Sequence, residues 1–136
     1  AGLLPPLRGP ASAVVELQYI RRHVMRMPSL PLDVARMIVS TNSEPYRLLW
    51  GRSESAVTGT LKDWDVRARL SEILVPALVT GGRYDEVTPA QVEALAAGLP
   101  TSERVIFEDS SHCAMWEEPD RFLSVVGDFL DRHDAR

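Results

Sequence analysis

The chain has 136 residues, which is enough for one modest domain with its own core. Its net charge of −4 provides no basic surface for nucleic acid, and no apolar run has the length of a membrane span. A single cysteine, Cys113, excludes an intrachain disulfide. We therefore expect a cytoplasmic protein without a nucleic-acid or membrane partner.

The first fifty residues predict short helices separated by helix-breaking residues. The opening stretch, AGLLPPLRGP, is rich in proline and glycine and predicts irregular structure. A first helix is expected from a cap at Ser12 to about Val24, where MPSLP at 27–31 ends it. A second helix is expected from about Asp33, and a third over 44–50, which Gly51 ends.

From about residue 66 the pattern changes to alternating helices and strands. A short helix is predicted over 66–73, and an apolar strand with both faces buried over 75–80. Thr88 and Pro89 open a helix that runs to Leu99, and a second strand, ERVIFE, covers 103–108. Pro119 opens a last helix whose predicted core face comprises Phe122, Leu123, Val126, Phe129 and Leu130. This order is typical of a doubly wound α/β sheet, which needs more strands than two.

Two polar side chains follow the two predicted strands. Asp85, in the stretch VTGGRYDEVTP, comes after the first strand, and His112 comes after the second. If the strands are parallel neighbours, their loops open at the same edge of the sheet, and Asp85 meets His112 there. A lone histidine is more often an ordinary surface residue, but the matching positions of these two favour a catalytic pair, with Asp85 orienting the imidazole.

Three segments carry a resemblance to a known family. VPALVTGGRYDEVTP and FEDSSHCAMWEEPDRFLSVVGDFL resemble the C-terminal part of the α/β-hydrolase fold, in which the order is nucleophile, acid, histidine. LLWGRSESAVTGTLKDWDV resembles the return from the helical cap in proline iminopeptidases and the related L-amino-acid amidases. The resemblance implies that residues 1–60 are a portion of the cap with its return hinge. Residues 61–136 are then the C-terminal part of the catalytic domain, a fold that is incomplete alone.

The same family implies how the substrate is held. Its members bind the free α-ammonium group with a glutamate in a WGxxE segment and another directly after the catalytic acid, and Glu54 and Glu86 match these positions. Two carboxylates satisfy and neutralise a group that has three donors and no acceptor. The sequence departs from the family at Ser55, where an aromatic residue is usual, and at Cys113, for which we expect packing rather than thiol catalysis.

The chain lacks the nucleophile that this chemistry needs. No G-x-S-x-G occurs, and Ser110 and Ser111 have no strand-to-helix elbow. We expect the N-terminal half of the same enzyme to carry the serine as partner, a small peptide or amide as substrate, and no metal or cofactor. The leading interpretation is a serine aminopeptidase that forms an acyl-enzyme and often releases proline. An esterase, epoxide hydrolase or dehalogenase, and a non-catalytic assembly subunit, remain alternatives.

Overall fold

The computed structural model describes residues 10–51 and 57–134, which divide between two compact units. The first unit includes residues 28–66, and the second combines residues 13–27 with the chain from residue 67 onward. Residues 13–27 thus group with the C-terminal part, and the assignment of residues 1–60 to a cap stays a prediction. None of the described helices is long and apolar enough to cross a lipid bilayer.

The first helix, α1, ends in an unusual turn. It spans Pro10–Tyr19 and starts earlier than the predicted cap at Ser12, since proline is tolerated in the first turn of a helix. It continues as a π-helical turn over Ile20–Val24, which the Met25 N–H closes on the Ile20 carbonyl at 2.8 Å. Such turns are rare and occur often at functional sites.

The first unit contains two short helices and a returning segment of turns. Helix α2 spans Leu32–Ser40 and helix α3 spans Ser43–Trp50, with the Asn42 side chain capping α3. Gly51, at φ 90°, ends α3 in a conformation that favours glycine. The chain returns alongside the end of α3, where the Thr60 N–H donates to the Leu48 carbonyl at 3.0 Å.

The second unit is built on a pair of parallel strands. A 3₁₀-helix over Arg67–Glu72 precedes β1, Ala77–Gly82, and β2 spans Ser102–Phe107, paired so that Ala77 faces Ser102 and Gly82 faces Phe107. The predicted parallel pairing is confirmed. The first strand begins two residues later than expected because Pro76 has no N–H for the ladder.

Helix α4, Pro89–Gly98, connects the strands and packs against both of them. It opens with the expected proline, and a capping box joins Thr88 and Gln91. Val79, Val92 and Phe107 form the buried centre of this layer. The predicted burial of both faces of β1 is wrong for the described residues, because Thr80 is exposed on that strand.

Two further helices follow β2. Helix α5, Ala114–Glu117, is a single turn between the second strand and the last helix, where the sequence predicted neither, and α6 spans Pro119–His133. The Phe122 ring lies 5.8 Å from that of Phe107, as expected for a residue on the inner face. Leu123 and Leu130 are 68% and 57% exposed, so the prediction that they are core is wrong in the described part of the chain, where no element covers that side of α6.

Candidate active site

The loop after β1 fixes the carboxylate of Asp85. Its Oδ1 accepts a hydrogen bond from the Val87 N–H at 2.8 Å, and its Oδ2 accepts from the Gly82 N–H at 3.4 Å. The side chain is only 6% exposed. Gly82 has no space for a side chain, because a Cβ there would lie 2.1 Å from the Ser111 carbonyl oxygen. This close approach brings the loops after the two strands together.

The loop after β2 is held by two serine–glutamate pairs, here called the latch, made of Ser110, Ser111, Glu117 and Glu118. Ser111 Oγ donates to Glu117 Oε1 at 2.6 Å, and Ser110 Oγ donates to Glu118 Oε2 at 2.5 Å. Both serines are fully buried. The latch ties the middle of the loop, directly before His112, to the last residue of α5 and to the residue that precedes α6.

Backbone donors complete the latch. The Ser111 N–H donates to Glu117 Oε2, and the Asp109 N–H donates to Glu118 Oε2 at 3.1 Å. Burial favours the protonated form of Glu118, but hydrogen bonds from Ser110, Arg121 and the Asp109 N–H outweigh it and lower the pKa of this carboxyl. Glu118 is therefore held as a carboxylate, which is the form that accepts all of these bonds.

The two loops place His112 against Asp85. The distance between His112 Nδ1 and Asp85 Oδ1 is 3.1 Å, which is the contact expected from the sequence. Because an ionised carboxylate only accepts hydrogen bonds, Nδ1 carries the proton in this pair. Nε2 has no hydrogen-bond partner among the described residues, and the side chain is 49% exposed. The ring thus presents its basic nitrogen outward, as a general base requires.

Glu86 lies beside this pair and is held by the end of α1. Its Oε2 accepts a hydrogen bond from the Tyr19 hydroxyl at 3.1 Å, while Oε1 has no partner among residues 10–51 and 57–134. The side chain is half-buried. Burial, followed by the hydrogen bond to Glu86, raises the pKa of Tyr19, so the phenol remains a donor.

The carbonyl of His23 connects both loops. It accepts from the Glu86 N–H and from the His112 N–H, each at 3.3 Å. The His23 ring contacts the Tyr84 carbonyl through Nδ1 at 2.8 Å, and the Arg26 guanidinium stacks 3.6 Å above the Tyr84 ring. The π-helical turn therefore forms one wall of the site. Sequence reasoning did not single out this segment, although the spacing of Tyr19 and His23 at i and i+4 places both rings on one face of a helix.

The other residues singled out from the sequence stand differently. Glu54 lies outside the described residues, since the structure does not describe 52–56. Ser110 and Ser111, rejected above as nucleophiles, are buried in the latch. Burial, with the nearby carboxylates of Glu117, Asp85 and Glu86, raises the pKa of the Cys113 thiol and disfavours the thiolate.

Comparison with known proteins places these features in a family context. The chain is 39% identical over 115 residues to a proline iminopeptidase of Saccharolobus solfataricus, which covers 84% of this chain and 37% of that protein. It is 43% identical over 90 residues to a proline iminopeptidase of Heyndrickxia coagulans, which covers 66% of this chain and 31% of the relative. The chain thus spans about a third of the length of the curated relatives it matches. No family model matches it.

The fold has a close counterpart among solved structures. The crystal structure of the proline iminopeptidase of Mycobacterium smegmatis superposes with a TM-score of 0.84 at 35% identity, covering 92% of this chain and 42% of that one. The predicted fold class is confirmed: the chain has part of an α/β-hydrolase sheet together with helices.

Proposed function

This chain is a relative of the proline iminopeptidases and carries part of the α/β-hydrolase fold, and we propose that it supplies the acid, the histidine and the amine-binding carboxylates of a serine aminopeptidase. The substrate is a peptide or amide with a free N-terminus, and the product is its first residue, often proline. The observation that carries the proposal is the contact between His112 Nδ1 and buried Asp85, with Nε2 left open.

The catalytic steps follow from that pair. A serine in the N-terminal half of the enzyme attacks the carbonyl of the first residue, and His112 Nε2 accepts the proton of the serine hydroxyl. Asp85 stabilises the imidazolium that forms. The imidazolium then donates its proton to the leaving amine, which gives an acyl-enzyme. Water, deprotonated by the same nitrogen, releases the product and restores the serine.

The selectivity for a free N-terminus follows from Glu86 and Glu54. Glu86 is the neighbour of Asp85 in the chain, so an ammonium group bound to its carboxylate lies close to the catalytic histidine. Holding the scissile carbonyl there lowers the entropic part of the barrier, by several kcal/mol in well-oriented systems. Glu54 is proposed as the second carboxylate, on the family resemblance described above. A substrate with a blocked, uncharged N-terminus loses both interactions.

The test uses the enzyme with its nucleophile-bearing half. Glu86→Gln keeps the shape of the side chain but removes its charge, and we expect KM for prolyl and alanyl arylamides to rise roughly tenfold, as for a lost charge-assisted hydrogen bond. Glu72→Gln is the matched control, since Glu72 is an exposed carboxylate whose ion pair is with Arg69. Equal KM values for parent and Glu86→Gln, or equal rates on N-acetylated substrates, contradict the proposal.

A further inference from the structure

The end of α1 and the π-helical turn that follows it make hydrogen bonds with both the backbone and the side chain of Glu86. The Glu86 N–H donates to the His23 carbonyl at 3.3 Å, and the Tyr19 hydroxyl donates to Glu86 Oε2 at 3.1 Å. The Tyr19 ring in turn lies 5.1 Å from the His23 ring, which is itself bonded to the Tyr84 carbonyl. One segment, Tyr19 to His23, therefore determines where this carboxylate points.

The hydrogen bond from Tyr19 makes the two carboxylate oxygens of Glu86 different, because one is occupied and the other is open. A phenol provides a single donor, so Tyr19 engages Oε2 and leaves Oε1 open. A glutamate side chain has several rotatable bonds, and a fixed hydrogen bond restricts the orientations that the carboxylate samples before substrate binds. The open oxygen is then presented in a restricted range of directions.

The donor persists over the pH range in which the substrate is charged. Burial and the carboxylate of Glu86 raise the pKa of Tyr19 above its ordinary value. A free α-amino group loses its proton at a pH of about 8, which is well below the range in which a tyrosine ionises. The hydrogen bond from Tyr19 is therefore present whenever the substrate carries an ammonium group.

We infer that Tyr19 is a positioning residue for recognition of the substrate ammonium group, which it serves by fixing Glu86 through the hydrogen bond to Oε2. The inference rests on the role proposed above for Glu86. Tyr19 does not touch the reacting atoms, so its removal affects binding of the free amine and leaves the chemical step unchanged.

The experiment compares KM and kcat for prolyl arylamide hydrolysis by the enzyme assembled with its nucleophile-bearing half. Tyr19→Phe removes only the hydroxyl, and we expect a rise in KM of roughly three- to tenfold with kcat unchanged, the pattern of lost uniform binding. Ser124→Ala is the control, because it also removes a single hydroxyl, from a side chain that is exposed on α6 and makes no hydrogen bond within the described parts of the chain. We expect its KM to equal that of the parent.

A double-variant cycle separates positioning from general structural damage. In the Glu86→Gln background, Tyr19→Phe is expected to cause no further rise in KM, because the carboxylate it acts through is gone. An undiminished effect of Tyr19→Phe in that background overturns the inference. An unchanged KM for Tyr19→Phe beside a raised KM for Glu86→Gln overturns the inference alone, and an unchanged KM for both overturns the proposed function as well.

Discussion

The latch beneath His112 makes a quantitative prediction about stability. Ser111→Ala removes one hydroxyl, from a side chain that is fully buried and bonded to Glu117 Oε1 at 2.6 Å. A hydrogen bond to a charged acceptor contributes about 1.5–3 kcal/mol. After the substitution, Oε1 still accepts from the Arg26 N–H at 2.6 Å, and Oε2 still accepts from the Ser111 N–H. Because neither oxygen is left without a donor, we expect the lower value, about 1.5 kcal/mol.

Glu117→Gln is expected to cost more than Ser111→Ala. Each carboxylate oxygen of Glu117 faces a backbone N–H, so whichever side the amide nitrogen takes, one backbone donor is left facing another donor. The two donors repel each other, and the charge-assisted bond to that backbone N–H is lost, which costs about 1.5–3 kcal/mol. Glu117→Gln is therefore predicted to lower the free energy of unfolding by more than Ser111→Ala does.

The measurement is the free energy of unfolding from urea titration of the whole enzyme. Ser124→Ala is the control, since Ser124 is exposed on α6 and makes no hydrogen bond in the described part of the chain. Its effect should stay within about 0.5 kcal/mol. If Ser111→Ala destabilises no more than Ser124→Ala does, the latch is not a stabilising element and the reasoning is refuted.

Two further predictions concern groups with perturbed pKa values. Cys113→Ser should retain kcat/KM within roughly twofold. In the parent, the Cys113 thiol should react slowly with iodoacetamide at neutral pH, because the raised pKa of the thiol keeps it protonated. A loss of activity by orders of magnitude in Cys113→Ser would instead indicate a thiol nucleophile. Glu118, whose pKa is lowered on folding, stabilises the fold above its unfolded pKa of about 4.3, and this contribution is lost as the pH falls through the lower folded value. The difference in unfolding free energy between the parent and Glu118→Gln should therefore shrink from pH 7 to pH 3, and an equal difference at both pH values contradicts this assignment.

Sequence patterns predicted the elements that have local signals. Pro89 after Thr88, the apolar run before Gly81 and the proline that opens α6 each correspond to an observed boundary, within two residues. The meeting of Asp85 and His112 also followed from pattern, because parallel neighbouring strands bring their carboxyl ends to one edge. The element boundaries depend on backbone preferences that single residues impose, and the meeting of Asp85 and His112 depends on the parallel pairing of the two strands.

What the sequence did not predict depends on contacts between distant segments. The π-helical turn has ordinary helix-compatible residues, and its place beside Glu86 comes from a contact 67 residues apart in the chain, between Tyr19 and Glu86. The latch likewise joins two serines to two glutamates, and the sequence alone gives no sign that these glutamates are anything other than solvent-exposed loop residues. The exposure of Leu123 was missed because a helical stripe shows which residues are apolar and not what covers them.

The carbonyl of His23 has a consequence for how such a site can diversify. Every residue type has a backbone carbonyl, so the atom that accepts from both Glu86 and His112 is unchanged by any substitution at position 23 that preserves the turn. Side-chain scanning will therefore not detect this connection, whereas replacing a backbone amide by an ester at position 86 or 112 will. Substitutions at position 19 can then change the substrate preference while the backbone distance between Glu86 and His112 stays the same.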